Sequence, residues 1–172
     1  LMSHKKQPFL FGAHMSISGG LELAYQAGES IGCTAMQIFT KSNRQWAAKA
    51  LDDDAITRFK KAQKASSIKS TIAHATYLIN IGATDHTIHQ KSVAALLIEL
   101  ERCAELNIPY LVLHPGSHGT TDEKTCINKI SDTLNMIFQN STTNTGILLE
   151  NMAGQGSSVC YLFEHIGHII AT

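Results

Sequence analysis

The chain has no surplus of charge: fourteen Lys and Arg against fourteen Asp and Glu leave a formal net charge of zero. No global positive field marks it as a nucleic-acid binder, so any contact with a phosphate backbone has to come from local groups. Cysteine is sparse. Cys33, Cys103, Cys126 and Cys160 lie far apart with no CxxC pair. They are too few for a disulfide framework in a chain this long, and three fall in apolar stretches, which predicts buried, reduced thiols. No run approaches the roughly 18 apolar residues of a membrane span, and no secretory leader precedes Phe9. The expectation is a cytoplasmic protein without a membrane partner. A glycine-rich dinucleotide fingerprint is also missing, since Gly19-Gly20 comes several residues after the first strand candidate. No nucleotide cofactor is therefore expected. Nothing marks a Ser or Cys as a nucleophile with an adjacent base.

What remains is a regular alternation. With 172 residues, 44% of them hydrophobic, the chain can bury a sizeable core and reads as one domain, 1–172. Residues 1–8, with Leu1 ahead of Met2, read as a tail or cloning remnant. Strand candidates are Phe9–Ala13, Ala35–Phe39, Thr71–Ala73, Tyr110–Leu113 and Gly146–Leu149. Helical periodicity follows each, over 21–31, 52–65, 88–106, a segment opened by Thr120 and Glu123 in capping-box spacing, and 159–170. Val93, Leu97, Leu100 and Ala104 are expected on the buried face of the third helix, and Asn107 and Pro109 stop it. On the fourth, Ile127, Ile130, Leu134 and Ile137 form the face. Continuous apolar strands imply a parallel sheet covered on both faces. Five units at about 34 residues each match the pitch of an eight-unit barrel of roughly 250 to 280 residues. The fold expected is α/β, a TIM (β/α)8 barrel of which this chain holds about five βα units.

The chemistry lies where the strands end. His14, His74, His114 and Glu150 follow the first, third, fourth and fifth strands. In a parallel β/α barrel those ends point to one mouth, where active sites are built. His74, His114 and Glu150 are 40 and then 36 residues apart, one βα unit each, so their side chains converge. Two imidazoles and a carboxylate form a three-ligand zinc set with an open position. A single His at a strand end is more often a hydrogen-bonded surface or capping residue, and His4, His86, His89, His118, His165 and His168 take that reading. Loops at the same mouth hold Thr40-Lys41-Ser42-Asn43-Arg44-Gln45-Trp46 and Ala75-Thr76-Tyr77-Leu78-Ile79-Asn80. Arg and Lys bind phosphate, and Tyr or Leu in a loop can wedge between bases. Trp46 and Ile79 are expected to cover the rim instead; for Arg44, Tyr77 and Leu78 chemistry alone leaves both readings open. The paired Gly154 and Gly156 permit a tight turn after Glu150.

Taken together, Phe11-Gly-Ala-His14-Met-Ser…Gly19-Gly20, Phe39-Thr-Lys41…Arg44-Gln-Trp46, His74…Tyr77-Leu-Ile-Asn80, His114-Pro-Gly-Ser-His118 and Leu149-Glu-Asn-Met-Ala-Gly-Gln-Gly156 resemble the endonuclease IV family, in order and in spacing. The resemblance implies a zinc-dependent apurinic/apyrimidinic-site endonuclease of DNA repair. Its partner would be duplex DNA containing abasic sites, cut on the 5′ side by a zinc-bound hydroxide to leave a 3′-hydroxyl. It implies three zinc ions in a complete, monomeric protein. His74 and His114 would hold one and Glu150 would bridge to a second, making these three both catalytic and metal residues. Arg44, Tyr77 and Leu78 would be the DNA-binding residues, while His14 matches a family histidine without a firm role. The family's remaining Asp, His and Glu ligands come from strands six to eight. Residues 1–172 are thus expected to supply at most one or two partial zinc sites and to be inactive alone. The alternatives are a metal-dependent sugar isomerase or epimerase on the same barrel, and a non-catalytic chain that only binds DNA or a partner.

Overall fold

The computed structural model describes residues 9–172; the tail at 1–8 and His4 lie outside the described residues. Five strands alternate with five helices: β1 (Gly12–Met15), α1 (Leu23–Ser30), β2 (Ala35–Phe39), α2 (Asp53–Ala65), β3 (Ser70–His74), α3 (His86–Glu105), β4 (Tyr110–Leu113), α4 (Glu123–Asn140), β5 (Gly146–Leu149) and α5 (Phe163–Ala171). The strands form one parallel sheet in the order β1-β2-β3-β4-β5. Consecutive parallel strands joined by helices are what a β/α barrel wall requires, and this is the partial barrel expected. Phe59, Ile38, Leu96, Leu100, Leu111, Ile130 and Ile137 are fully enclosed in the layer between sheet and helices. All four cysteines are free and buried, and burial pushes the Cys103 and Cys160 thiols up to about 12 and that of Cys126 to about 11.

Several boundaries differ from the sequence reading, each for a physical reason. The first strand is Gly12–Met15, not Phe9–Ala13. Phe9, Leu10 and Phe11 are exposed, and the Phe11 carbonyl accepts the Thr34 and Ala35 N–H groups. The fourth helix is capped by Asp122, whose carboxylate accepts the Thr125 N–H at 2.9 Å, rather than by Thr120. Asp52 and Asp85 cap α2 and α3 the same way at 2.7 and 2.8 Å, each cap contributing about 1 kcal/mol. The segment 159–162 belongs to a loop, not to the fifth helix. Cys160 sits at φ 66°, which no helix tolerates, and its N–H is taken by the His165 ring. The third helix stops as expected: Asn107 adopts φ 54° and the Ile108 N–H returns to the Cys103 carbonyl.

Two burial expectations also fail. The strands are not covered alike on both faces: β1 is largely exposed and β2 alternates buried with half-buried residues. The less covered face, with Gly12, His14, Gln37 and Ile72, lines an open hollow of about 320 Å³. On α3 only Leu100 of the expected face is fully buried, although Val93 and Leu97 pack against the core. Val93 and Leu97 are half-buried and Ala104 is exposed, while Ala95, Leu96, Glu99, Leu100, Arg102 and Cys103 are buried. Two charged side chains, Glu99 and Arg102, lie on that inward face. The fourth helix buries Ile127, Ile130, Leu134 and Ile137 as read.

Candidate metal centre

Register places the site. Phe39 pairs with His74, His74 with Val112, and Leu113 with Leu149, so the ends of β2 to β5 finish level. His74 is the last residue of β3; His114 and Glu150 directly follow β4 and β5, and the Glu150 N–H still bonds the Leu113 carbonyl at 3.0 Å. Side chains one residue past neighbouring parallel strands must share a space. One ligand atom from each of His74, His114 and Glu150 lies within 4.8 Å of the others. Nε2 of His74 stands 2.9 Å from Glu150 Oε2, and Nε2 of His114 3.4 Å from the same oxygen.

The hydrogen bonds around the three decide what they can hold. His74 is 4% exposed, and its Nδ1 lies 2.7 Å from the carbonyl of Ala75. A carbonyl only accepts, so Nδ1 carries a proton, and in the neutral ring Nε2 presents a lone pair. That lone pair faces a carboxylate oxygen, and a third donor atom stands beside both. A cation among these three atoms would stabilise the arrangement, and a His fixed by a backbone carbonyl at its other nitrogen is how metal-ligating imidazoles are oriented. Burial lowers the pKa of His114, against the opposing pull of Glu150, which favours the neutral imidazole a metal requires. The donors present fit zinc: two imidazole nitrogens and one carboxylate oxygen. Both imidazoles meet the same carboxylate oxygen, Oε2.

Around this trio stands an aromatic wall. The Tyr77 ring packs on His74, His114 and Phe39 with centroids 5.3, 5.1 and 5.5 Å away, yet Tyr77 is 56% exposed. Arg44 is exposed, Leu78 is half-buried, and Trp46 and Ile79 pack against the core as rim cover. Lys41, named with Arg44 as a phosphate-binding type, is buried and unavailable to a backbone. His14 stays outside the trio, its ring 6.4 Å from that of His74 and its Nδ1 2.9 Å from Gln37 Nε2. Of the other described histidines, His89, His118, His165 and His168 each have a hydrogen-bond partner.

Sequence reading missed the residue that joins the loops. Asn80 donates through Nδ2 to the Ser117 carbonyl and hydroxyl, both at 3.0 Å, and its Oδ1 accepts the N–H groups of Ser117 and Gly82. Ser117 in turn bridges to Ser158, and the His118 N–H bonds the Ser157 carbonyl. The loops after β3, β4 and β5 are thereby tied together behind their ligands. Gly154 and Gly156, at φ 74° and 61°, give the last of these loops its reversal.

Comparison with known proteins agrees with the fold. Residues 25–172 match the family model described as Xylose isomerase-like TIM barrel. A probable endonuclease 4 of Chloroflexus aurantiacus is 44% identical over 160 residues, 92% of this chain and 56% of the relative. The crystal structure of endonuclease IV from Thermus thermophilus superposes with a TM-score of 0.80 at 33% identity, covering 95% of this chain and 59% of that one. A D-tagatose 3-epimerase-like protein shares the fold at 17% identity, with a TM-score of 0.73 and coverage of 94% and 60%. The chain thus spans a little over half the length of the relatives it matches. It belongs to the Xylose isomerase-like TIM barrel family and, within it, to the endonuclease IV family.

Proposed function

We propose that the protein carrying this chain is a DNA-repair endonuclease that hydrolyses the phosphodiester 5′ to abasic sites in duplex DNA, leaving a 3′-hydroxyl, with zinc held by His74, His114 and Glu150. The observation that supports it most is the trio itself: two Nε2 atoms and one carboxylate oxygen converge while Nδ1 of His74 is taken up by the Ala75 carbonyl. Bound zinc would neutralise charge on the phosphodiester and acidify a coordinated water into the nucleophile. The chain's own residues do the placing. The Ala75 carbonyl orients the His74 ring, Glu150 would supply the carboxylate ligand, and Asn80 ties the loops that follow His114 and Glu150. Tyr77, leaning over both imidazoles, and Leu78 beside it would enter the duplex and hold the abasic sugar at the metals. A missing base removes most of the unstacking cost, which is where selectivity would arise.

The DNA half of this reading is tested at the loops. Replacing Tyr77 and Leu78 together by Ala, in the full reading frame, is expected to weaken binding to abasic duplex about 10- to 100-fold, as loss of one to two stacking contacts would. Zinc content should be unchanged. The loss should be smaller on the same single strand, because only the duplex must be opened. Arg44→Ala should weaken binding less and flatten its salt dependence by about one phosphate contact. Equal losses on duplex and single strand would mean that Tyr77 and Leu78 merely cover the rim. In the alternative reading, a sugar isomerase or epimerase with the same donor set, abasic duplex would not bind at all.

A further inference from the structure

The mechanism leaves unexplained a buried charged cluster beneath the two loops. Lys41, Glu99 and Arg102 are 7%, 1% and 7% exposed. Burying charge costs several kcal/mol per ion even after relaxation, and apolar residues of similar volume would often serve stability as well. What these three hold is loop backbone. Arg102 donates to the carbonyl of Lys49 at 2.8 Å and to that of Thr40, gripping the β2 loop at its two ends. Lys41 donates to the Gln45 carbonyl at 2.6 Å and stands 3.6 Å from Glu99 Oε1. The same Oε1 accepts the Thr76 N–H at 3.0 Å, and the Thr76 hydroxyl donates to the Asn43 carbonyl at 2.6 Å. Arg44 follows Asn43, and Tyr77 follows Thr76. Glu99 of α3 therefore fastens Thr76, just before Tyr77, and Thr76 in turn fastens Asn43, just before Arg44.

We propose that Glu99 and Arg102, with Lys41 between the loops and Thr76 as the pin, are positioning residues that set Arg44 against Tyr77-Leu78 at the spacing a distorted duplex presents. This rests on the proposed DNA function, but the clasp itself does not. A clasp of this kind pre-organises the loops, so the ordering cost is met during folding instead of on binding. Burial raises the Glu99 pKa while the Thr76 N–H and Lys41 oppose it.

The test uses the zinc-loaded protein from the full reading frame. Thr76→Val keeps the shape and deletes the hydroxyl, leaving the part-buried Asn43 carbonyl without its donor; Thr76→Ser restores one. In the valine variant, amide exchange should rise in residues 41–49 and 75–80 and stay unchanged in α3. The KM for abasic duplex should rise about tenfold, as for one lost buried hydrogen bond, with kcat within about twofold and zinc unchanged, and serine should recover most of it. Should valine impair folding, Glu99→Gln, which keeps an acceptor for Thr76 but loses the ion pair with Lys41, must show the same pattern at smaller size. Unchanged loop exchange overturns the clasp. Loosened loops with unchanged KM in an active wild type overturn its role in recognition. A wild type that neither binds nor cleaves abasic duplex overturns the DNA reading and this role with it, while the exchange data still judge the clasp.

Discussion

His74→Ala, made in the full reading frame, should strip zinc from the site and lower cleavage of abasic duplex by at least about 10³-fold, with His114→Ala close behind. The expectation follows from the geometry of the trio. Each imidazole supplies one nitrogen to a position defined by three atoms within 4.8 Å, and removing either leaves two donors where a tetrahedral ion needs at least three from protein. Glu150→Gln should be no milder, because Oε2 faces both imidazoles and an amide neither balances a dication nor bridges to a second. His14→Ala and His118→Ala serve as controls. His14 is held by Gln37 and His118 donates its Nδ1 proton to the Thr121 carbonyl, so neither should change zinc content. Elemental analysis of the five purified variants is the measurement. Zinc unchanged in the first three removes the site; zinc lost equally in all five points to general unfolding.

Much of this site is legible in the sequence because strands are short and level. An apolar run of four or five residues between turn signals locates a strand end to within a residue, as Ala35–Phe39, Tyr110–Leu113 and Gly146–Leu149 show. In a parallel sheet, residues just past such ends are neighbours. His74, His114 and Glu150 could be placed together on that ground alone. The reading failed where burial is not apolar. Glu99 and Arg102 occupy the inward face of α3, and a periodicity argument counts charges as outward. Only their partners, the carbonyls of Thr40 and Lys49 and the N–H of Thr76, explain why they turn in, and those lie on loops distant in sequence. Asn80 escaped notice for the same reason: its value lies in Ser117, 37 residues away. The apolar run at 159–162 misled in the opposite sense. Val159 and Cys160 are buried as a helix start would be, but they pack as loop.

Gly116→Ala should destabilise the site by about 3 to 5 kcal/mol and weaken zinc binding about 100-fold or more, although Gly116 touches no ligand. Its φ of 146° belongs to glycine, so any side chain there costs about 1 to 3 kcal/mol in backbone strain. An alanine methyl would also stand 2.5 Å from Asn80 Oδ1 and 3.3 Å from the Gly82 N–H. Asn80 cannot yield cheaply. Its Oδ1 accepts from Ser117 and Gly82 and its Nδ2 donates to Ser117, and shifting it weakens bonds worth about 1 kcal/mol each. Two residues upstream of Gly116 is His114, and Val159 in the β5 loop bonds the Gly116 carbonyl at 3.1 Å. Displacing Asn80 therefore moves the loops that carry two of the three ligands. Gly119→Ala provides the internal comparison. Gly119 also has positive φ, 58°, but nothing lies within 4 Å of the methyl it would gain. It should suffer only the strain, about 1 to 2 kcal/mol, and keep its zinc. Thermal unfolding and competitive zinc titration of both variants in the full protein separate the two costs. If Gly116→Ala lowers stability no more than Gly119→Ala and binds zinc as the wild type does, Asn80 is not what holds the loops of this site.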